Sequence, residues 1–344
     1  MTLPDNNLVV PKGSLVLVTG ANGFLGSHVV EQFLENGFKV RGTVRSLDKL
    51  SNLEQRWESK YPGMFEAVEI ADLTKEGCYH EAMKDVVAFA HTAADVTFVP
   101  DYDLVINGLV KSTLNALRAA AATPSIKRVV LTSSYISAAM PQTGQDGSKF
   151  DENSWNDQIV EMAKSTPEGH PARGFFIYMA SKVLGEKAAW DFVIKEKPSF
   201  AFNAVLPGFC IGELFDSEKQ AGSTSGITRD IFLMKTNEIA KMTPVQAMCS
   251  ATDIALLHVG ACVLPRVENK RLFGTSHIAT WNDILSHFRR LYPNQQAYED
   301  FDERRKEISH YDEGSSLEVL KKFGQDGWKS LEDAIRDNID PIAG

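Results

Sequence analysis

Tyr178 and Lys182 stand four residues apart in the run Tyr-Met-Ala-Ser-Lys. On a helix that spacing puts both side chains on one face. A free phenol titrates near about 10 and is a poor acid–base group at neutral pH. A lysine charge beside it favours the phenolate and lowers that value. The pair then becomes a usable proton donor or acceptor. The spacing is common on helices, so its weight depends on what accompanies it. One companion is Thr132-Ser133-Ser134, which follows an apolar run. A serine hydroxyl at a strand end can donate to a substrate oxygen, or it can simply cap the strand.

The second companion is a glycine cluster near the start. Leu15 to Val18 form an apolar run, followed at once by Gly20, Gly23 and Gly26, and Leu25, Val29 and Phe33 then recur every fourth residue. This reads as strand, tight turn and helix. One glycine permits the turn, one lets a pyrophosphate approach the backbone, and one lets helix pack on strand. The helix start offers free N–H groups and a partial positive charge to phosphates. The group bound there is expected to be a dinucleotide, along Gly20, Asn22, Gly23, Phe24, Leu25 and Gly26. Its ribose partner is read from the end of the next strand. An acid there would hold a 2′-hydroxyl. This chain has Arg41-Gly-Thr-Val-Arg45 instead, with Lys49 nearby and no acid before Asp48. Arg45 and Lys49 can clasp a 2′-phosphate, which selects NADPH/NADP+. Asp72-Leu73, after the third strand, is placed at the adenine; a plain strand-end turn is the competing reading.

Strands are expected at 15–18, 38–44, 65–70, 86–92 and 127–132, alternating with helical stretches from Leu25 to about 36–37 and at 47–61, 78–84 and 101–123. That alternation means an α/β, Rossmann-type doubly wound parallel sheet. Right-handed crossovers give the strand order 3-2-1-4-5. The dinucleotide belongs in the crevice between strands one and four, where Thr92 and Ala93 are also expected to touch it. Residues 140–175 lose period and read as an insertion. A helix from 176 to 195 carries Tyr178 and Lys182, and a further strand is expected at 201–206. The expected division is an NADP-binding Rossmann domain over 1–206 and a smaller C-terminal substrate lobe over 207–344, part of which returns to the first domain.

Composition fits this picture. The chain has 344 residues, 43% hydrophobic and 24% charged, as in an ordinary globular enzyme. A net charge of −9 argues against a nucleic-acid surface. No apolar run nears the roughly 20 residues of a membrane span, and no signal pattern opens the chain, so a cytoplasmic location is expected. Cys78, Cys210, Cys249 and Cys262 are expected as free thiols. His258 and Cys262 would share a helix face, but two ligands do not make a zinc site; no metal is expected. Oligomeric state is left open.

Together the fingerprint Thr19-Gly20-Ala21-Asn22-Gly23-Phe24-Leu25-Gly26, the serine pair and the Tyr-Lys spacing resemble the extended short-chain dehydrogenase/reductases. Within them the chain is most similar to the dihydroflavonol-4-reductase-like group, and especially to NADPH-dependent aldehyde and carbonyl reductases of yeasts. The resemblance covers nearly the whole chain, from Pro11-Lys-Gly-Ser through Asn115-Ala-Leu-Arg-Ala-Ala-Ala-Ala-Thr-Pro to Leu291-Tyr-Pro. It implies Ser134, Tyr178 and Lys182 as catalytic residues, with Ser133 the near alternative for the serine. It implies Arg45 and Lys49 at the NADP phosphate, and Pro207-Gly208 in the loop against the nicotinamide. The implied function is reduction of a small-molecule aldehyde or ketone, such as an aryl ketone or β-keto ester, to an alcohol. Phe98, Phe209 and Met242 can wall an apolar pocket, with core packing as the competing reading of each.

Two other readings share the frame. A nucleotide-sugar epimerase keeps the Ser-Tyr-Lys set but retains NAD, which wants an acid where Arg45 stands. A non-enzymatic NADP-binding regulator tends to lose the tyrosine or the lysine, and this chain has both. A dehydratase would place Thr-Asp where Ser134-Tyr135 stands.

Overall fold

A computed structural model describes residues 2–4, 7–94, 97–139, 146–235, 240, 245–301 and 308–343. The first half is built from β1 (Leu15–Thr19), α1 (Phe24–Glu35), β2 (Lys39–Val44), α2 (Ser51–Lys60), β3 (Phe65–Glu69), β4 (Val86–His91), α3 (Tyr102–Ala121) and β5 (Arg128–Thr132). Next come β6 (Asp146–Phe150), α4 (Asp157–Ser165), α5 (Arg173–Glu196), β7 (Ala201–Pro207) and β8 (Phe209–Ile211). The remainder holds α6 (Thr224–Phe232), β9 (Val245–Ser250), α7 (Ala251–Val263), β10 (Arg271–Gly274), β11 (His277–Thr280), α8 (Trp281–Leu291), β12 (Ile308–Tyr311), α9 (Gly314–Lys322) and α10 (Leu331–Ile339).

Seven strands form one parallel sheet in the order β10-β7-β5-β4-β1-β2-β3. This contains the expected 3-2-1-4-5 order and extends it by two strands. The central strands read as continuous apolar runs because helices cover both faces; Val16, Leu17 and Val18 of β1 are fully buried. α1 ends at Asn36, followed by Gly37 at φ +84, the left-handed stop that glycine tolerates. α3 starts where the Asp101 side chain accepts the Leu104 N–H. α7 packs on α1 and is buried nearly all round, which explains its unbroken apolar sequence. Among the described residues no helix is long and apolar enough to cross a membrane.

The C-terminal half adds a three-stranded sheet, β11-β9-β8, in which β8 and β9 run parallel and β9 and β11 antiparallel. The insertion strand β6 pairs with the late strand β12. β10 leaves this half to become the edge of the large sheet. One expected helix is absent. Residues 78–84 form successive turns, bounded by Gly77 and Asp85 at positive φ; so short a run rarely offsets the cost of helix nucleation.

Candidate active site

The sheet reverses direction of growth between β1 and β4, whose ends Thr19 and His91 lie side by side in register. The glycine turn sits at that edge. Gly20 has φ +66, and a Cβ there would stand 3.1 Å from the Ala93 Cα. A Cβ on Gly26 would collide with the Gly20 carbonyl oxygen. Two of the glycines are therefore demanded by the turn itself. Gly23 caps α1 with no side-chain hydrogen bond, and the first turn holds no acid. The N–H groups of Phe24, Leu25 and Gly26 lack partners within the helix by its geometry, so the helix start suits an anion. The Thr92 and Ala93 N–H groups both donate to Thr19 Oγ1 at 3.1 Å, and Thr92 Oγ1 donates to the Thr19 carbonyl. Thr19 Oγ1 in turn donates to His91 Nδ1 at 2.8 Å. Burial, and next the Lys182 charge, push His91 down to about 4, so it stays neutral.

Arg45 directly follows β2, and Lys49 ends the short turn after it. Both are exposed, and neither pairs with an acid among the described residues. Asp72 Oδ1 accepts both the N–H and the hydroxyl of Thr74, at 2.8 and 2.7 Å, which holds its carboxyl below the usual range. The Leu73 carbonyl accepts from Asn115. An uncapped helix start, a glycine turn without room for side chains and two unpaired cations fit a phosphorylated dinucleotide.

Tyr178 and Lys182 lie on one face of α5, with the Lys182 Nζ 6.0 Å from the Tyr178 ring centre. α5 packs against the turn Tyr135–Ser137, which Ser134 caps by accepting the Ile136 N–H at 3.3 Å. Ser133 is committed elsewhere. Its hydroxyl donates to Glu186 at 2.5 Å, and so does that of Ser137. Of the serine pair, Ser134 is thus the one whose hydroxyl proton has no acceptor among the described residues. A small cavity is lined by Ala93, Thr113, Ser133, Lys182 and Glu186.

The expected lowering of the Tyr178 pKa is not what the geometry gives. Burial, and then Cys210, push the phenol up to about 12. Lys182 is itself pushed down to about 8 by burial, with Glu186 opposing. The lysine is one turn away, and desolvation outweighs its field. Tyr178 is therefore a phenol at neutral pH, the state of a proton donor.

Phe98 meets the Tyr178 ring edge-on, centres 5.1 Å apart, and Phe175 at 5.8 Å. Its backbone has φ +53 and approaches α5 at Gly174, where any Cβ would collide with the Phe98 carbonyl. Gly208, after Pro207, donates its N–H to the Gly274 carbonyl at 2.7 Å, and a Cβ on it would strike the Ala247 carbonyl. Phe209 turns the other way, into the core against Trp281. Met242 lies outside the described residues.

Sequence reasoning missed Glu186, although the spacing 178, 182, 186 put it on the same helix face. Its carboxylate is fully buried and accepts from Ser133, Ser137, Trp190 and Arg271. It also missed that His258, read only as a buried helix residue, accepts from Thr132 at 2.7 Å at the end of β5. The four cysteines are free, yet Cys210 and Cys249 meet across β8 and β9 with sulfurs 3.5 Å apart.

A family profile described as male sterility protein, an NAD-binding family, matches residues 18–252. Aldehyde reductase 2 of Sporidiobolus salmonicolor is 48% identical over 97% of each chain. An Aspergillus terreus protein named NAD-dependent epimerase/dehydratase terH is 38% identical over 95% of this chain and 96% of its own. Among solved structures, Gre2 of Candida albicans in complex with NADPH superposes with a TM-score of 0.79 at 25% identity, over 96% of this chain and 98% of that one. With the fingerprint on the β1–α1 turn and the seven-stranded sheet behind it, this chain belongs to the extended short-chain dehydrogenase/reductases, in the NAD-binding family of the male sterility proteins.

Proposed function

We propose that the chain reduces small, largely uncharged aldehydes and ketones, aryl ketones and β-keto esters among them, to alcohols with NADPH. The observation that carries this is the surroundings of Tyr178: a protonated phenol, an aromatic wall at Phe98 and a lysine one turn away on α5. Support for NADPH comes from Arg45 and Lys49, where an NAD site would want an acid. Its pyrophosphate would be held by the α1 start, its 2′-phosphate by Arg45 and Lys49, its adenine beside Asp72 and Leu73, and its nicotinamide end by Lys182, Pro207 and Gly208. The aldehyde reductase relative and the NADPH-bound Gre2 neighbour point the same way. Four free thiols suit a reducing, cytoplasmic setting.

When bound, the cofactor supplies a hydride equivalent for the carbonyl carbon. The carbonyl oxygen then gains charge. Tyr178 donates its phenol proton to that oxygen. Ser134 donates a hydrogen bond to the same atom while its own lone pair keeps the Ile136 N–H. Lys182, charged below about pH 8, favours the phenolate left on Tyr178 and can donate to ribose hydroxyls. Phe98 restricts which face of the carbonyl is presented. An apolar wall such as Phe98 discriminates weakly, at only about 1–3 kcal/mol per methylene, so a broad substrate range is expected.

The test is a panel of aldehydes, ketones and sugar nucleotides with NADPH, read by cofactor absorbance and product analysis. Alcohol formation from several carbonyl compounds is expected. Conversion of a sugar nucleotide without net NADPH loss, with no ketone or aldehyde reduced, would favour the epimerase reading. Binding of NADPH with no turnover of any compound would favour the regulator.

A further inference from the structure

The chain after β8 crosses back over the first half and is fastened there at several points. The Glu213 carbonyl accepts from His28 Nε2 at 2.9 Å. Arg56 pairs with the Glu213 carboxylate at 3.3 Å and lies 3.9 Å over the Phe215 ring, which stacks on His28. Asn52 donates to Asp216 Oδ2 at 3.2 Å. Gln220 Nε2 donates to Ser27 Oγ at 3.0 Å and reaches the Asn22 and Gly23 carbonyls at 3.4 Å. Residues 213–220 therefore form a strap running from α2 to the glycine turn.

Lys219 projects from this strap onto the turn that follows β2. Its Nζ stands 3.4 Å from the Asp48 carbonyl and 3.8 Å from the Asp216 carboxylate. Both contacts are long for a charged donor. Asp216 is already engaged, since Oδ1 accepts the Lys219 backbone N–H at 3.1 Å and Oδ2 accepts from Asn52. An ammonium with three donors and two weak contacts has capacity for a stronger acceptor. The turn it touches carries Lys49 and follows Arg45. Gln220, not Lys219, reaches the glycine turn.

Resting on the NADPH reading above, we propose that Lys219 is a third cation for the cofactor's 2′-phosphate, brought from the C-terminal half across the site from Arg45 and Lys49. The strap's fastenings hold its backbone in place, so little ordering is lost when the phosphate arrives. Asp48, Asp216 and Glu69 are the acids around this turn; Glu69 is occupied with the Leu47 N–H at 3.2 Å. Without a 2′-phosphate the lysine gains no contact, so it discriminates between the two cofactors rather than tightening both.

The test is calorimetric binding of NADPH, NADH, 2′,5′-ADP and 5′-ADP to the full chain and to Lys219→Ala and Lys219→Arg. For Lys219→Ala the dissociation constants of NADPH and 2′,5′-ADP should rise about tenfold while those of NADH and 5′-ADP stay within about twofold. Retained binding of the latter two also reports an intact fold. Lys219→Arg should keep most of the preference. Equal weakening of all four ligands would assign the residue to the pyrophosphate or to the strap, and no change for any would remove its role; either overturns the inference. A wild-type chain that binds NADPH no tighter than NADH overturns the cofactor reading itself, whereas a clear wild-type preference untouched by Lys219→Ala overturns only the inference.

Discussion

Replacing Arg271 by Met should be among the most destabilising single changes in this chain. The Arg271 Nε donates to Glu186 at 2.7 Å, with side-chain exposures of 4% and 0%. The same guanidinium donates to the Ser154 carbonyl at 2.6 Å and the Glu152 carbonyl at 3.2 Å, and lies 4.0 Å over the Trp155 ring. Removing it leaves a buried carboxylate with only neutral donors and cuts the ties from Arg271 to the Glu152 and Ser154 carbonyls of the insertion. Breaking a buried pair from one side costs about 3–5 kcal/mol, most of it the uncompensated charge. Glu186→Gln in the Arg271→Met background removes that charge and keeps the side chain's shape, so it should recover about 2 kcal/mol. The assay is urea unfolding followed by tryptophan fluorescence, for which Trp155 and Trp190 are local reporters. A loss under about 1 kcal/mol for Arg271→Met, or a double variant less stable than either single one, would refute the reasoning.

Other outcomes follow from the site. Arg45→Ala should weaken NADPH binding about tenfold and leave NADH nearly unchanged, measured by fluorescence titration; equal effects on both would sink the 2′-phosphate assignment. Reduction should fall as pH rises through about 8, because Lys182 then loses its charge, while Tyr178, pushed up to about 12, stays protonated. The same depressed lysine makes folding more favourable as pH climbs from about 8 toward the ordinary lysine value, because over that window the unfolded chain binds the extra proton. A rate profile flat well beyond that pH would contradict the role of Lys182. Gly174→Ala should displace Phe98, since the new Cβ collides with its carbonyl; enantioselectivity should change while the NADPH dissociation constant does not, and an unchanged product ratio would remove Phe98 from the wall.

The sheet was legible because its signals are local and periodic. An apolar run, glycines at fixed spacing and a four-residue repeat specify β1, the turn and α1 without any distant partner, and alternation with short connections orders the first five strands. Strands at 201–206 and 271–273 are readable from their apolar runs, but the places of β7 and β10 in the sheet were not legible, because they are set by pairings such as Arg271 with Ala204, far apart in the chain. Tyr178 and Lys182 announced themselves by spacing, but the direction of the Tyr178 shift depends on its burial and then on Cys210, which no local pattern encodes. Glu186 showed its face but not its partner, Arg271, 85 residues away. Phe209 had the composition of a pocket wall, yet β8 aims it at Trp281. In each case the missing information was a long-range contact.

The most direct measurement of the central claim is a stoichiometric one. Wild-type chain and Tyr178→Phe are incubated with limiting NADPH and an aryl ketone, and cofactor oxidation is compared with alcohol formed. The account predicts one alcohol per NADPH for the wild type, and for Tyr178→Phe a rate lower by about a hundredfold or more with NADPH binding intact. Alcohol formation at near-normal rate without the Tyr178 hydroxyl, or NADPH bound but never consumed by the wild type, would contradict it.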